Sequence, residues 1–363
     1  MDNLTIQHKP VFIVAEAGVN HNGDRERAFE LVDVAIEAGV DAVKFQTFCP
    51  SKLLVASAPK AQYQKDNTNL NETQYDMLSK LVLDKETHVE LKHYAEKSGL
   101  VFMSTAFDSG SLAFLHDELD LEYLKIPSGE ITNGPLLLEY GKTKKQLLLS
   151  TGMANIEEVR EALSVLAFGI MKLRESPTRK RFRECFDDEE SQVALRNTVI
   201  LLHCTTQYPA PLGCINLRAM DTLRAMFGLR VGYSDHSEGT LVPGLAVAMG
   251  AEVIEKHFTL DRNLPGPDHK ASLEPVQLNS MVNVIRSVEL SLGDGQKIPR
   301  GDEYKNSLVA RKSLVAGKEI KVGERFTAEN LIAKRPGIGR SPMEYWDLMH
   351  SVSDKDYSVD DIL

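Results

Sequence analysis

Residues 230–258 read RVGYSDHSEGTLVPGLAVAMGAEVIEKHF, and the fold turns on how that stretch is parsed. Two apolar runs, 230–234 and 253–258, suit buried strands, and the segment between them has the length of one crossover helix. The stretch therefore reads as strand, helix, strand, with the strands parallel. Each run ends in polar residues: Ser234, Asp235 and His236 close the first, and Glu255 with His257 closes the second.

Working outward, the same pattern recurs at 12–17, 42–47, 100–105, 123–127, 146–150 and 199–204, which makes eight strands in all. Helical periodicity with good helix formers fills intervals such as 24–38, 86–98, 156–168 and 276–292. Eight strand-helix units in about 290 residues is the arithmetic of a (β/α)8 TIM barrel. A doubly wound sheet is the runner-up, but AGVNHNG (17–23) after the first strand does not match a dinucleotide-binding turn. The barrel is expected over 1–292, a linker over 293–305, and a small β-rich domain over 306–363, with turns at 316–318, 322–324 and 336–339. Two segments break the rhythm. Residues 50–84, with Tyr63, Gln64, Asn67 and Asn69, read either as a lid or rim subdomain or as a plain surface insertion. Residues 173–196, a run of basic then acidic side chains, read as a solvated hairpin or disordered loop without a catalytic role.

The composition narrows the function. A chain of 363 residues with 42% hydrophobic and 26% charged residues is an ordinary globular one, and its net charge of -10 disfavours nucleic acid and anionic membranes as partners. No apolar run is long enough to span a bilayer and residues 1–10 carry no apolar signal core, so a cytoplasmic location is expected. Cys49, Cys185, Cys204 and Cys214 lack C-x-x-C spacing and are read as thiols.

In a (β/α)8 barrel the active site stands at the carboxyl ends of the strands. In strand order those ends carry Glu16; Lys44 and Gln46; Ser104 and Thr105; Lys125, Ser128 and Glu130; Ser150 and Thr151; His203; Ser234 and His236; Glu255 and His257. His236 and His257 lie 21 residues apart on successive strands, where two imidazoles could share one divalent cation or could each form a hydrogen bond within the barrel mouth. Lys44 and Lys125 sit in apolar strands, and a lysine there is costly unless it meets a phosphate or carboxylate. Ser128, Ser150 and Ser234 add hydroxyl donors, a set suited to a phosphorylated, carboxylated substrate. A class I aldolase using a lysine imine, and a non-catalytic sugar-binding barrel, are the competing readings.

Ten segments in this order resemble the sialic acid synthases: AEAGVNHNG (15–23), VKFQT (43–47), KIPSGE (125–130), STGMA (150–154), HCTTQYP (203–209), YSDH (233–236), EKHFT (255–259), PGPDH (265–269), ARKSLVA (310–316) and KRPGIG (334–339). The last two are similar to the C-terminal antifreeze-like (SAF, β-clip) domain of that family. The resemblance implies condensation of phosphoenolpyruvate with an N-acetylmannosamine-type sugar. The sugar would be N-acetylmannosamine or 2,4-diacetamido-2,4,6-trideoxymannose, and the product N-acetylneuraminate or N,N'-diacetyllegionaminate plus phosphate. It implies Mn2+ or Mg2+ on His236 and His257, with phosphoenolpyruvate held by Lys44, Lys125, Ser128, Ser150 and Ser234. Glu130 is the candidate for proton transfer, with Glu16 beside it among the catalytic groups, and Gln46, Tyr208 and Asp268 are expected at the sugar. Thr206, where some N-acetylneuraminate synthases carry Asn, resembles the legionaminate branch. The resemblance further implies a domain-swapped homodimer in which Arg335 reads the sugar in the partner's barrel.

Overall fold

The computed structural model describes residues 10–68, 72–171 and 175–363. The chain divides into two compact units, Met1–Gly293 and Asp294–Leu363. The first unit is a closed barrel of eight parallel strands in sequence order, the architecture that the strand-helix alternation predicts. The strands are β1 (Phe12–Gly18), β2 (Ala42–Thr47), β3 (Val101–Ala106), β4 (Tyr123–Ile126), β5 (Gln146–Ser150), β6 (Val199–Cys204), β7 (Arg230–Asp235) and β8 (Val253–His257). β8 pairs back onto β1, setting His257 beside Glu16.

The helices of this unit are α1 (Arg25–Ala38), α2 (Pro50–Leu53), α3 (Gln62–Thr68), α4 (Gln74–Ser79), α5 (Lys85–Lys97), α6 (Ser109–Ala113) and α7 (Gly134–Thr143). They continue with α8 (Ile156–Met171), α9 (Arg179–Phe186), α10 (Glu189–Thr198), α11 (Leu212–Ile215), α12 (Ala219–Phe227), α13 (Leu241–Ala248) and α14 (Pro275–Leu292). Local signals set their ends. Asp24 accepts from Arg27 N at the start of α1, and Gly39 closes that helix at φ 71°, a left-handed turn that favours glycine. Among the described residues no helix is long and apolar enough to cross a membrane.

The pleat sorts the strand side chains into two sets. One set packs outward under the helices in the main core, with Ile13, Phe45, Phe102, Leu149, Leu201 and Val231 as examples. The other points into the barrel, where Val14, Ala42, Met103, Leu148, Ile200, Leu202 and Val253 form a separate apolar plug. Positions of the same parity one step further along the strands lie above that plug, and there the residues turn polar: Glu16, Lys44, Thr105, Lys125, Ser150, Ser234 and Glu255.

The two irregular segments are both helical. In 50–84, α2 and α4 bring Leu53, Met77, Leu78 and Leu81 against Val19 and Phe48 in a small core of their own. The hairpin or disordered loop expected over 173–196 is corrected to the helix pair α9 and α10; residues 173 and 174 lie outside the described residues. Its charges face outward, with Lys180 and Glu184 paired at 3.7 Å, while Phe182 stacks edge-on at 5.2 Å against Phe168 of α8. Cys185, Phe186 and Leu195 are buried, so a narrow apolar stripe within the charge run is enough to fix both helices on the barrel's outer layer.

In the second unit, α15 (Glu303–Ala310) is followed by β9 (Ser313–Ala316), which pairs antiparallel with β10 (Leu331–Lys334), and by α16 (Tyr345–Leu348). Residues 303–310, which span the end of the expected linker and the start of the expected β-rich domain, are therefore a helix. Isolated bridges join Val315 to Ile362, Ile320 to Tyr357 and Arg325 to Val352 around a core of Leu314, Ala316, Ile320, Phe326 and Leu331.

Candidate active site

The polar layer above the plug opens into a cavity of about 370 Å3, within the usual size of a small-molecule site. Each barrel residue to which the resemblance gives a role lines it: Glu16, Lys44 and Gln46; Lys125, Ser128 and Glu130; Ser150, Thr206 and Tyr208; Ser234, His236, His257 and Asp268. Arg335 belongs to the second unit, exposed directly after β10.

The floor is an ion cluster. Lys44 pairs with Glu16 and lies 3.5 Å from Glu255, and Lys125 lies 3.4 Å from Glu255. Lys44 also donates to Thr105 Oγ1 at 2.9 Å, and Ser234 Oγ donates to Glu255 Oε1 at 2.8 Å. All four charged groups are nearly fully buried. The anions that the lysines required are thus in part the protein's own carboxylates. Burial pushes Glu255 up, but Lys125 and Lys44 outweigh it and hold the carboxyl at about 2. Burial dominates at Glu16, raising it to about 7 despite Lys44, so Glu16 is the carboxyl of the cluster that titrates near neutral pH. Burial opposes the charge of both lysines; at Lys44 the two carboxylates reverse the effect and the net direction is up, while at Lys125 it stays down.

Around this floor the functional groups fall into arcs. Over β4 to β7, Ser128 Oγ accepts from Gly152 N at 3.0 Å and lies 3.1 Å from Cys204 Sγ, while Ser150 Oγ is buried without a partner. A Cβ at Gly152 would come within 2.8 Å of both Ser128 Oγ and Cys204 Sγ, so only glycine leaves this arc open. At β7 and β8, the His236 and His257 rings lie 5.7 Å apart between centroids. His236 Nδ1 meets the Thr205 carbonyl at 2.7 Å, which assigns the proton to Nδ1 and the lone pair to Nε2. His257 Nδ1 is buried and unpartnered. Burial lowers His236 to about 4 and His257 well below the ordinary histidine range, so both rings are neutral, the form that ligates metal. The pair fits a divalent cation: one ring is oriented by a backbone carbonyl, as ligating histidines are, and the other has a nitrogen in need of a partner. Among the described residues no three His, Cys, Asp or Glu side chains cluster as a ligand set, so water or substrate would complete the coordination.

Tyr208 packs on His236 at 4.1 Å, and Tyr63 of α3 packs on Tyr208 at 4.9 Å. Asn67 of the same helix donates to the Pro267 carbonyl at 2.6 Å, tying α3 to the loop that carries Asp268. Burial alone raises Asp268 to about 6. Glu130 is half-buried and accepts from Asn133 Nδ2 at 2.6 Å.

Three strand-end residues point away from the cavity. Ser104 bonds Thr47 Oγ1 at 2.7 Å, His203 Nε2 bonds the Ile215 carbonyl at 2.7 Å, and Asp235 pairs with Lys256 beneath the helices. Glu255 and Thr105, named at the strand ends without a function, and Tyr63, read as part of a lid or rim, belong to the cavity, as does Cys204, read from the sequence only as a thiol. For Glu255, Thr105 and Cys204, the signal was parity with His257, Lys125 and Ser234 on their own or neighbouring strands.

Buried lysines, an orphan hydroxyl and two neutral histidines, gathered at the carboxyl ends of a closed parallel barrel, define a (β/α)8 enzyme built around a small anionic substrate. The sequence matches the NeuB family over residues 31–297, and the chain belongs to that family. It is 45% identical over 355 residues to the N,N'-diacetyllegionaminic acid synthase of Campylobacter jejuni, covering 98% of this chain and 99% of that protein. The protein of the same name from Legionella pneumophila is 44% identical over 340 residues, covering 94% and 89% respectively. Among solved structures, the N-acetylneuraminic acid synthetase of Leptospira borgpetersenii in complex with citrate is 32% identical with a TM-score of 0.65, covering 82% of this chain and 90% of that one.

Proposed function

We propose that the chain condenses phosphoenolpyruvate with the open-chain aldehyde of 2,4-diacetamido-2,4,6-trideoxymannose, giving N,N'-diacetyllegionaminate and inorganic phosphate. The observation that carries this reading is the division of one cavity between an anion-holding arc, with the unpartnered Ser150 hydroxyl beside Ser128, and a pair of neutral histidines. The identity to synthases named for that product supports this sugar over N-acetylmannosamine.

In this scheme Ser128, its hydroxyl oriented by the Gly152 N–H, and Ser150 hold the phosphate, and Lys125 and Lys44 turn part of their charge from Glu255 toward the substrate's phosphate and carboxylate. Ser234, hydrogen-bonded to Glu255, completes the phosphoenolpyruvate site. Carbon 3 of phosphoenolpyruvate forms the new bond to the aldehyde carbon, water adds at carbon 2, and the C–O bond to phosphate breaks. Glu130 takes the proton of the water, and Glu16, raised by burial to titrate near neutral pH and adjoining His257, gives one to the sugar oxygen in its protonated form. Gln46, Thr206, Tyr208 and Asp268 contact the sugar. A bound Mn2+ or Mg2+, held by His236 and His257, would supply Lewis acidity toward the aldehyde oxygen.

We also propose, on the resemblance of residues 310–316 and 334–339, that the second unit is an antifreeze-like domain and that the chain works as a domain-swapped homodimer in which Arg335 reads the partner's sugar. The test is phosphate release from phosphoenolpyruvate with Mn2+, comparing the trideoxy sugar with N-acetylmannosamine, with and without EDTA. EDTA-sensitive release with the trideoxy sugar is expected; release with neither sugar would refute the reading. An imine-forming pyruvate aldolase draws on Lys125, whose ammonium is pushed down by burial, and borohydride trapping with pyruvate would reveal it.

A further inference from the structure

The arc of the cavity over β1 to β3 differs from the rest. Phe48 and Phe107, directly after β2 and β3, line it together with Leu53 and Leu54 at the end of α2 and Leu78 of α4. Apart from Phe48, which is buried, these side chains are only half-buried, so they still present apolar surface, and Val19, Met77 and Leu81 back them as a fixed wall. The only cations lining the cavity among the described residues are Lys44 and Lys125, and both are at the floor in ion pairs. No Lys or Arg side chain faces the wall from α2 or α4.

We infer that this wall determines acceptor specificity: it receives the end of the sugar farthest from the aldehyde and selects a terminal methyl over a hydroxymethyl or a phosphate. The inference rests on the condensation reading and adds to it which residues read the acceptor's far end. Its geometry follows from the arcs. Phosphoenolpyruvate occupies the serine side over β4 to β7, and the aldehyde meets it beside the histidines at β7 and β8. A six-carbon chain then leads over Glu16 and Gln46 toward β1 to β3, and ends against Leu53, Leu54 and Leu78. Gln64 and Gln74 also line the cavity, but Gln74 Nε2 is already given to Gln64 Oε1 at 3.4 Å and Gln64 Nε2 to the Tyr63 hydroxyl at 3.4 Å. A phosphate placed against the leucines would lose water and meet no cation, and a hydroxyl would have to break into that amide pair, whereas a methyl group would gain burial.

The experiment measures phosphate release from phosphoenolpyruvate with Mn2+ for three acceptors that differ only at carbon 6: 2,4-diacetamido-2,4,6-trideoxymannose, its 6-hydroxy counterpart and the 6-phosphate of that counterpart. Wild type should prefer the 6-deoxy sugar by at least about tenfold in kcat/KM, the scale on which an apolar pocket discriminates such groups. Leu54→Gln and Leu78→Gln, both half-buried and so tolerant of a polar side chain, should each lower kcat/KM for the 6-deoxy sugar about tenfold. The 6-hydroxy sugar should change by less than about threefold, and the KM for phosphoenolpyruvate should not move. Equal losses for both sugars, a parallel rise in the phosphoenolpyruvate KM, or a wild-type preference for the 6-phosphate would overturn the inference while leaving the condensation reading intact. No phosphate from any acceptor would refute that reading, and the inference with it.

Discussion

Glu255→Gln is the perturbation whose consequence the structure specifies most closely. The carboxylate stands 3.4 Å from Lys125 and 3.5 Å from Lys44 and accepts from Ser234 at 2.8 Å, all of it buried. At an effective dielectric of about 20, each ion contact is worth about 5 kcal/mol before desolvation, and breaking a buried pair from one side typically costs about 3–5 kcal/mol net. The depression of Glu255 from 4.5 to about 2 corresponds independently to about 3 kcal/mol. Glutamine keeps the shape and can still accept from Ser234, so the expected loss of about 3–5 kcal/mol in urea unfolding at pH 7 reports charge rather than packing. Because the acid is depressed, its own contribution is complete above pH 4.5 and is lost as pH falls toward 2, so the gap between wild type and variant should close as pH falls through that range. The variant also leaves two cations sharing one protonatable carboxyl beside the serine arc. Inorganic phosphate should therefore raise its Tm more than that of wild type. A loss below about 1 kcal/mol, or equal stabilisation of both proteins by phosphate, would refute the reasoning.

His236→Asn and His257→Asn should each weaken Mn2+ binding at least about tenfold in titration calorimetry; unchanged affinity would remove the metal assignment. His21 is buried and pushed down to about 3, chiefly by burial and then by His88, with Nδ1 accepting from Gly23 N at 3.0 Å and Nε2 unpartnered. The unfolded chain takes up that proton near pH 6.5 and the folded one does not, so stability is complete above pH 6.5 and falls by about 2 kcal/mol on going to pH 5. His21→Asn should lack that slope in paired urea unfolding curves, and parallel curves would count against it. Arg335→Ala should raise the sugar KM about tenfold and leave that for phosphoenolpyruvate unchanged, with equal effects on both excluding a role confined to the sugar.

The barrel was legible because strand and helix periods alternate eight times, and the site was legible because polar residues cluster at strand ends. Less legible was which polar residue faces which way. A parallel strand is buried on both faces, so its sequence is a nearly continuous apolar run without the alternation that would mark inside from outside. Ser234-Asp235-His236 and Glu255-Lys256-His257 look alike as triplets, yet in each the middle residue turns outward to form the buried Asp235–Lys256 pair while its neighbours face the cavity. The same ambiguity left Glu255 named at a strand end but without a function. Two lysines in apolar strands called for an anion, and the economical guess was a substrate; the register instead puts Glu255 opposite Ser234 and within ion-pair distance of both lysines.

The two irregular segments show where length and composition mislead and attachment does not. The segment over 173–196 is the more charged and drew the expectation of a solvated hairpin or disordered loop, but helices need only a narrow stripe, and Phe182, Cys185, Phe186 and Leu195 supply it. It is attached ahead of β6, on the approach to the amino end of a strand, and its helices pack on α8. The segment over 50–84 is polar in composition and could equally have been surface, but it departs from the carboxyl end of β2. Chain leaving that end must begin at the rim of the cavity, and a few leucines with the right spacing turn inward there because the alternative is exposure to water. Attachment thus places the first insertion in the scaffold and the second at the rim of the cavity, and it makes the Leu54 and Leu78 variants a sharper probe of specificity than any change at the charged helices.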